Sequence, residues 1–168
     1  MTAAPVCPEC KTAARLTDGR EIYPHRPDLA DKPIYVCDGC TGYVGCHPGT
    51  TKPLGTPANY ELRNARSKLH NLMLDPLWME AWRDPAYAAD READASGRKR
   101  TAQQRIGDIQ RCARTRVYEY LADKLGLTRE QCHTGEFDLE TCRRAWTALK
   151  GVSYSEIRAW ARERREAA

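Results

Sequence analysis

Eight cysteines punctuate this chain of 168 residues: Cys7, Cys10, Cys37, Cys40, Cys46, Cys112, Cys132 and Cys142. Four of them form two C-x₂-C pairs, Cys7-Pro8-Glu9-Cys10 and Cys37-Asp38-Gly39-Cys40. Such a pair lets two thiolates reach one ion while the N–H groups of the turn hydrogen-bond to the sulfurs. Four thiolates around Zn²⁺ give a closed tetrahedral site with no open position, a structural rather than a catalytic metal. The spacing therefore predicts one structural zinc ion per chain, held by Cys7, Cys10, Cys37 and Cys40. The 26 residues between Cys10 and Cys37 exceed the usual ribbon interval and require an ordered insertion. A redox dithiol or disulfides are the competing chemistries. Pro8 is expected to pre-set the first turn, and Gly39 to supply a positive φ in the second.

Other candidate ligands are weaker. Cys46-His47 is adjacent to the ribbon and could replace a ligand or join another site, with His25 a further substitute. The simpler reading makes Cys46 a small residue at a strand end and His47 part of the Pro48-Gly49 turn. A second metal site from Cys132, His133 and Cys142 would need adjacent side chains to converge on one ion, so Cys112, Cys132 and Cys142 are read as unmodified structural thiols. The phosphate-loop, dinucleotide, nucleophile-elbow and HExxH patterns are absent from the sequence. Asp75 and Asp108 have no partner at an interpretable spacing. His70 with Asp75 would suit a metal-dependent nuclease, but the paired histidines and following Asn of such sites are missing. No enzyme is expected.

Charge separates the chain by segment. The formal total is +4, yet residues 98 to 116 carry Arg98, Lys99, Arg100, Arg105, Arg111, Arg114 and Arg116 against Asp108 alone. The rest of the chain is slightly acidic, so one stretch holds the positive excess. Such a stretch points to a local anionic contact, a solvated helix face being the alternative. No run approaches the 18 apolar residues of a membrane span, and the N-terminus lacks the charged start and apolar stretch of a secretory signal. A soluble chain in the cytoplasm is the expectation.

The elements that must position these groups follow from periodicity. The reading is α+β: a small N-terminal four-cysteine zinc ribbon with short antiparallel strands over residues 1–52, then a mainly α-helical region over 53–168. Thr17-Asp18-Gly19-Arg20 predicts a hairpin turn between strands at 14–16 and 21–23, with further strands at 34–36 and 43–46. Thr56 and Pro57 predict a helix start, with Ala58, Leu62, Ala65, Leu69 and Leu72 on its inner face. Asp75-Pro76 should end that helix and open a short one bearing Leu77, Trp78 and Trp82. Residues 84–100 read as a variable insertion or linker. The longest helix is predicted from Thr101 to Leu125, with Ile106, Ile109, Ala113, Val117, Tyr120 and Leu121 inward and Gly126 as its stop. Asp138 and Ser153 should cap two more helices, the second with Glu156 as a capping box. The mixed-charge tail from Arg162 is expected to fray.

The two cysteine pairs, the string from Tyr43 to Thr50, and Pro53-Leu54-Gly55-Thr56 resemble a family of small zinc-finger-containing proteins of bacteriophages and prophages. The resemblance continues through His70, Asp75 to Trp78, Tyr120 to Gly126 and Cys132 to Asp138. It brings no established activity. Two expectations for function follow. In one, the protein is a nucleic-acid-binding accessory protein whose Arg-rich helix makes non-specific phosphate contacts. In the other, it is an adaptor or inhibitor docking on a host protein through the ribbon and exposed aromatics, with Trp78, Trp82, Trp146 and Trp160 as candidate anchors.

Overall fold

The computed structural model describes residues 4–87 and 101–167. The chain divides into two compact units: Met1–Ser67 with His133–Cys142, and Lys68–Cys132 with Arg143–Ala168. The expected α+β class is found, a small sheet beside the cysteines followed by helices. No helix among the described residues is long and apolar enough to cross a membrane.

The first unit is built on a three-stranded antiparallel sheet in the order β1 (Arg15–Asp18), β2 (Pro33–Val36), β3 (Tyr43–Gly45). Register pairs Leu16 with Tyr35 and Tyr35 with Val44. Central β2 buries Ile34, Tyr35 and Val36 in succession, because both of its faces are covered. The hairpin expected at Thr17–Arg20 does not form. Asp18 instead accepts the Arg20 N–H and caps a helical turn, α1 (Gly19–Ile22), so Glu21 to Tyr23 never becomes a strand. A Cβ on Gly19 would lie 1.9 Å from the Leu29 carbonyl oxygen, so the chain can return toward β2 only past a glycine.

The expected helix start also moves. Ala58 is held in a β-bridge to Tyr43, and Asn59 accepts the Leu62 N–H at 2.9 Å, so α2 (Tyr60–Lys68) begins after Asn59 rather than at Pro57. Thr56 serves a different purpose. Its carbonyl and hydroxyl oxygens each accept from Arg66 at 2.9 Å, while Arg66 Nε donates to the Phe137 carbonyl at 2.8 Å. Thr56 N–H donates to Gly135 O, and a Cβ on Gly55 would meet that same oxygen at 2.0 Å. Arg66 thereby joins the 54–57 segment to residues 135–137 within this unit.

In the second unit the helix continues without a break. Residues Leu69–Leu74 form a π-helical turn and Asp75–Met79 form α3, with Pro76 inside it. Asp75 N–H reaches back five residues to the His70 carbonyl. A widened turn relieves the clash a helix-interior proline makes with the carbonyl four residues earlier. The extra residue also re-phases the helix: Leu69 and Leu74 are fully buried, whereas Leu72 is 60% exposed, against the even helical period expected.

Helix α4 (Ala102–Leu125) matches expectation. Thr101 and Gln104 form a capping box, and Gly126 ends the helix at φ 69° while Leu127 N–H donates to Ala122 O. Ile109, Ala113, Val117 and Leu121 are buried, together with Tyr118. Asp138 accepts the Thr141 N–H at 2.7 Å ahead of α5 (Leu139–Leu149). Ser153 and Glu156 form the predicted box at the start of α6 (Tyr154–Glu166), which stays helical through the segment expected to fray. Within the second unit α4 packs against α3 and α6.

The π turn makes an opposite forecast for two nearby leucines. Leu74→Ala should cost about 2–5 kcal/mol in urea unfolding. Leu72→Ala should change stability by no more than about 0.5 kcal/mol. A regular 3.6-residue helix, with Leu72 inward, would reverse the order.

Candidate metal centre

Each cysteine pair sits in the same backbone loop. Cys7 N–H donates to Thr12 O and Lys11 N–H returns to Cys7 O; Cys37 N–H donates to Gly42 O and Thr41 N–H returns to Cys37 O. The residue after each second cysteine takes the left-handed conformation, Lys11 at φ 57° and Thr41 at φ 58°. The positive φ thus falls on Thr41, against the expectation for Gly39. A left-handed side-chain-bearing residue costs roughly 1–2 kcal/mol, which the closed loop must offset. Gly39 is needed for proximity instead: a Cβ there would lie 3.1 Å from Cys10 Sγ and 3.8 Å from Cys37 Sγ.

These two loops bring Cys7, Cys10, Cys37 and Cys40 together with all four sulfurs within 4.8 Å of one another. Cys7 and Cys37 are buried, Cys10 and Cys40 half-buried. Tetrahedral zinc with Zn–S of about 2.3 Å requires sulfurs about 3.8 Å apart, and Cys7 Sγ and Cys40 Sγ are 3.6 Å apart. The donors therefore fit Zn²⁺, and their number leaves no position for a substrate.

The electrostatics agree. The Thr12 hydroxyl, 3.5 Å from Cys37 Sγ, and the N–H groups of Cys40 and Gly39 pull the Cys37 thiol down to about 6. Hydrogen bonds with Cys40 and Cys37 push Cys10 up to about 12. Sulfurs this close share protons until a cation takes their place. Thr12 and Gly42 were not singled out from the sequence; their signal was position, two residues after the second cysteine of each pair.

The weaker ligand candidates lie elsewhere. The metal-competent group among the described residues is the four-cysteine set, without His25, Cys46, His47, Cys132 or His133. Cys46 is half-buried beside Pro53, and His47 N–H bonds to Lys52 O. Tyr43, which opens the string to Thr50, lies under the Arg63 guanidinium at 3.7 Å and meets Tyr23 edge-on, the two hydroxyls 2.9 Å apart. Cys132 and Cys142 are buried and burial raises both thiols, whereas Cys112 is exposed.

The basic candidates are divided. Arg98, Lys99 and Arg100 lie outside the described residues. On α4, Arg111 and Arg114 are exposed while Arg105 and Arg116 are half-buried. Asp108 pairs with Arg111 at 3.2 Å, so it is not the isolated acid expected. Asp75 likewise has partners. His70 Nδ1 is 3.1 Å from Asp75 Oδ1, Trp78 Nε1 donates to that oxygen at 3.0 Å, and Tyr118 Oη lies 3.1 Å from His70 Nε2. This chain ties the π turn to α4; the π turn brings the partners together, which residue spacing alone does not show.

Two measurements check the metal centre. Elemental analysis of purified protein should give one zinc per chain, and none or two would contradict it. Cys37→Ser should abolish zinc binding and unfold the ribbon while most of the far-UV helical signal remains.

No curated protein and no solved structure matches the chain. A family model described as a zinc-finger-containing domain matches residues 3–91 and 97–152, a span that takes in both cysteine pairs, the π turn and α4. With four sulfurs arranged for one structural zinc and most of its length matched, the chain belongs to the zinc-finger-containing domain family DUF3268.

Proposed function

We propose that this zinc-ribbon protein is a nucleic-acid-binding accessory protein that contacts phosphates through its Arg-rich helix. One observation carries the reading. Helix α4 commits Ile109, Ala113, Val117 and Leu121 to the interior and turns Arg111 and Arg114 outward, Arg111 with 79% of its side chain exposed. The Asp108 carboxylate beside Arg111 is a solvent-screened partner and leaves the guanidinium available. Arg114 lies over the rings of Trp78 and Tyr118, at 5.6 and 5.9 Å, contacts that orient the charge without neutralising it. Exposed arginines backed by aromatic rings suit a phosphate chain better than base-edge reading.

In this reading the protein acts by binding, and its metal, saturated by four cysteines, serves to fold the ribbon. The resemblance of the Tyr43 to Thr50 string to phage and prophage proteins supports a viral origin, with the host cytoplasm as the working compartment. Docking on a host protein is the second reading. The ribbon exposes Val6 at 53% and Leu16 at 46%, apolar side chains that a protein partner would cover.

Salt dependence separates the two. Arg111→Ala with Arg114→Ala should weaken binding to DNA or RNA oligonucleotides in gel-shift titrations, irrespective of base sequence. The slope of log affinity against log salt should flatten by about 0.7–0.9 per lost phosphate contact. Stability should move by less than about 0.5 kcal/mol per substitution. Absence of binding by the parent protein at low salt would turn the assignment to the docking reading.

A further inference from the structure

A second concentration of positive charge exists that the segment from 98 to 116 does not describe. Arg158, Arg162 and Arg165 follow one another on α6 at steps of four and three, so they share one face of the helix. Together with Arg116 of α4 they line a groove of about 350 Å³ whose other walls are Tyr87, Ser155 and Ala159. Among the described residues, four guanidiniums line it and no carboxylate does.

The nearest carboxylates among the described residues leave most of that charge uncompensated. Asp84, its side chain only 8% exposed, already accepts from the Ala86 N–H and the Ser155 hydroxyl and lies 3.9 Å from Arg158. Glu166, solvent-exposed, is 3.9 Å from Arg162. Arg116 is held by phenols: its Nη1 donates to Tyr87 Oη at 2.5 Å and to Tyr154 Oη at 3.0 Å. Burial, with the hydrogen bond shared with Tyr87, keeps the Tyr154 hydroxyl above its ordinary range, so it remains neutral beside the arginine. Gathering four like charges in a concavity works against the compact state unless an anion occupies it.

We infer that this groove is a phosphate-binding site, one that takes the phosphate of a nucleotide or of a nucleic-acid strand between α4 and α6. Guanidinium forks match phosphate oxygens two at a time and keep their charge at every working pH. The volume falls at the small end of the roughly 300–1,000 Å³ of ligand clefts, enough for a phosphate and its sugar. Arg116 and Arg165 also line an adjoining groove of about 630 Å³ that carries Arg129, Arg164 and Trp160 together with the carboxylates of Glu119 and Asp123. There Asp123 is occupied by Arg164 and by the Trp160 N–H. A strand entering the first groove can therefore continue along a second wall in which, among the described residues, four arginines face two carboxylates. That the phosphate comes from a strand rests on the nucleic-acid reading above; the groove's affinity for phosphate does not.

The test uses the full-length zinc-loaded chain and the double variant Arg162→Ala with Arg165→Ala, both exposed positions, with the fold checked by thermal melting and zinc content. Parent and variant are titrated with a single-stranded oligonucleotide, by fluorescence anisotropy, and with inorganic pyrophosphate, by calorimetry. The variant should bind whichever of these the parent binds at least about tenfold more weakly, and Arg162→Lys with Arg165→Lys should recover part of the loss. Should the double variant melt early, Arg162→Gln alone, with its side chain 65% exposed, should still weaken binding severalfold. Oligonucleotide affinity that survives both variants overturns the groove and leaves the nucleic-acid reading standing. Pyrophosphate binding lost in the variant, with no oligonucleotide binding by the parent, keeps the groove and overturns the strand. A parent that binds neither overturns both.

Discussion

Four cysteine sulfurs within 4.8 Å of one another form the constraint on which the N-terminal unit depends. As thiolates they repel, and a divalent cation turns that repulsion into folding free energy, about 10–16 kcal/mol in zinc-finger peptides. Strands of four, four and three residues bury too little to be stable by themselves. The metal explains features that are otherwise costly: side-chain-bearing residues at positive φ in both loops, and a glycine pressed against the sulfurs. Around this anchor the unit adds packing. Tyr23 meets Tyr43 edge-on, Arg63 lies over the Tyr43 ring, and Arg66 bonds the 54–57 segment to residues 135–137.

Among its described residues the second unit has no comparable anchor and depends on complementary helix faces. Helix α4 supplies a buried stripe from Ile109 to Leu125, and α3 and α6 cover it. The π turn before Pro76 is a local solution with a wider effect. By relieving the proline it moves Leu74 inward and Leu72 outward, and it sets His70 where Asp75 and Tyr118 can both bond to its ring. A half-buried imidazole with both nitrogens partnered is a well-satisfied polar group, and it joins two helices that apolar contact alone would orient less tightly.

Charge is organised by helix geometry rather than by position in the sequence. The arginines of α4 leave the helix in two directions. Arg111 and Arg114 point to solvent, with Trp78 and Tyr118 behind Arg114. Arg116 points toward the tyrosine hydroxyls and meets the arginines of α6. A phosphate polymer is a partner that would reward both sets, since phosphates recur along it at short intervals.

By itself the sequence determined what local chemistry controls. The ligand set followed from thiolate spacing, and the ends of α4, α5 and α6 from capping residues whose hydrogen bonds close within four positions. It failed where a distant group competes with a local preference. Thr17 to Arg20 has the composition of a hairpin turn, but Asp18 caps a helical turn that brings Gly19 against Leu29. Thr56-Pro57 is a sound helix start, yet Ala58 is bridged to Tyr43 and Thr56 is occupied by Arg66. Leu72 continues the period of 3.6 until the π turn adds a residue that no pattern of apolar positions reveals. The tail from Arg162 reads as mixed charge, and only packing in the second unit keeps it helical and sets its arginines beside Arg116. Tertiary structure alone decided that grouping, because guanidiniums more than forty residues apart in sequence share a groove only once α4 and α6 have packed.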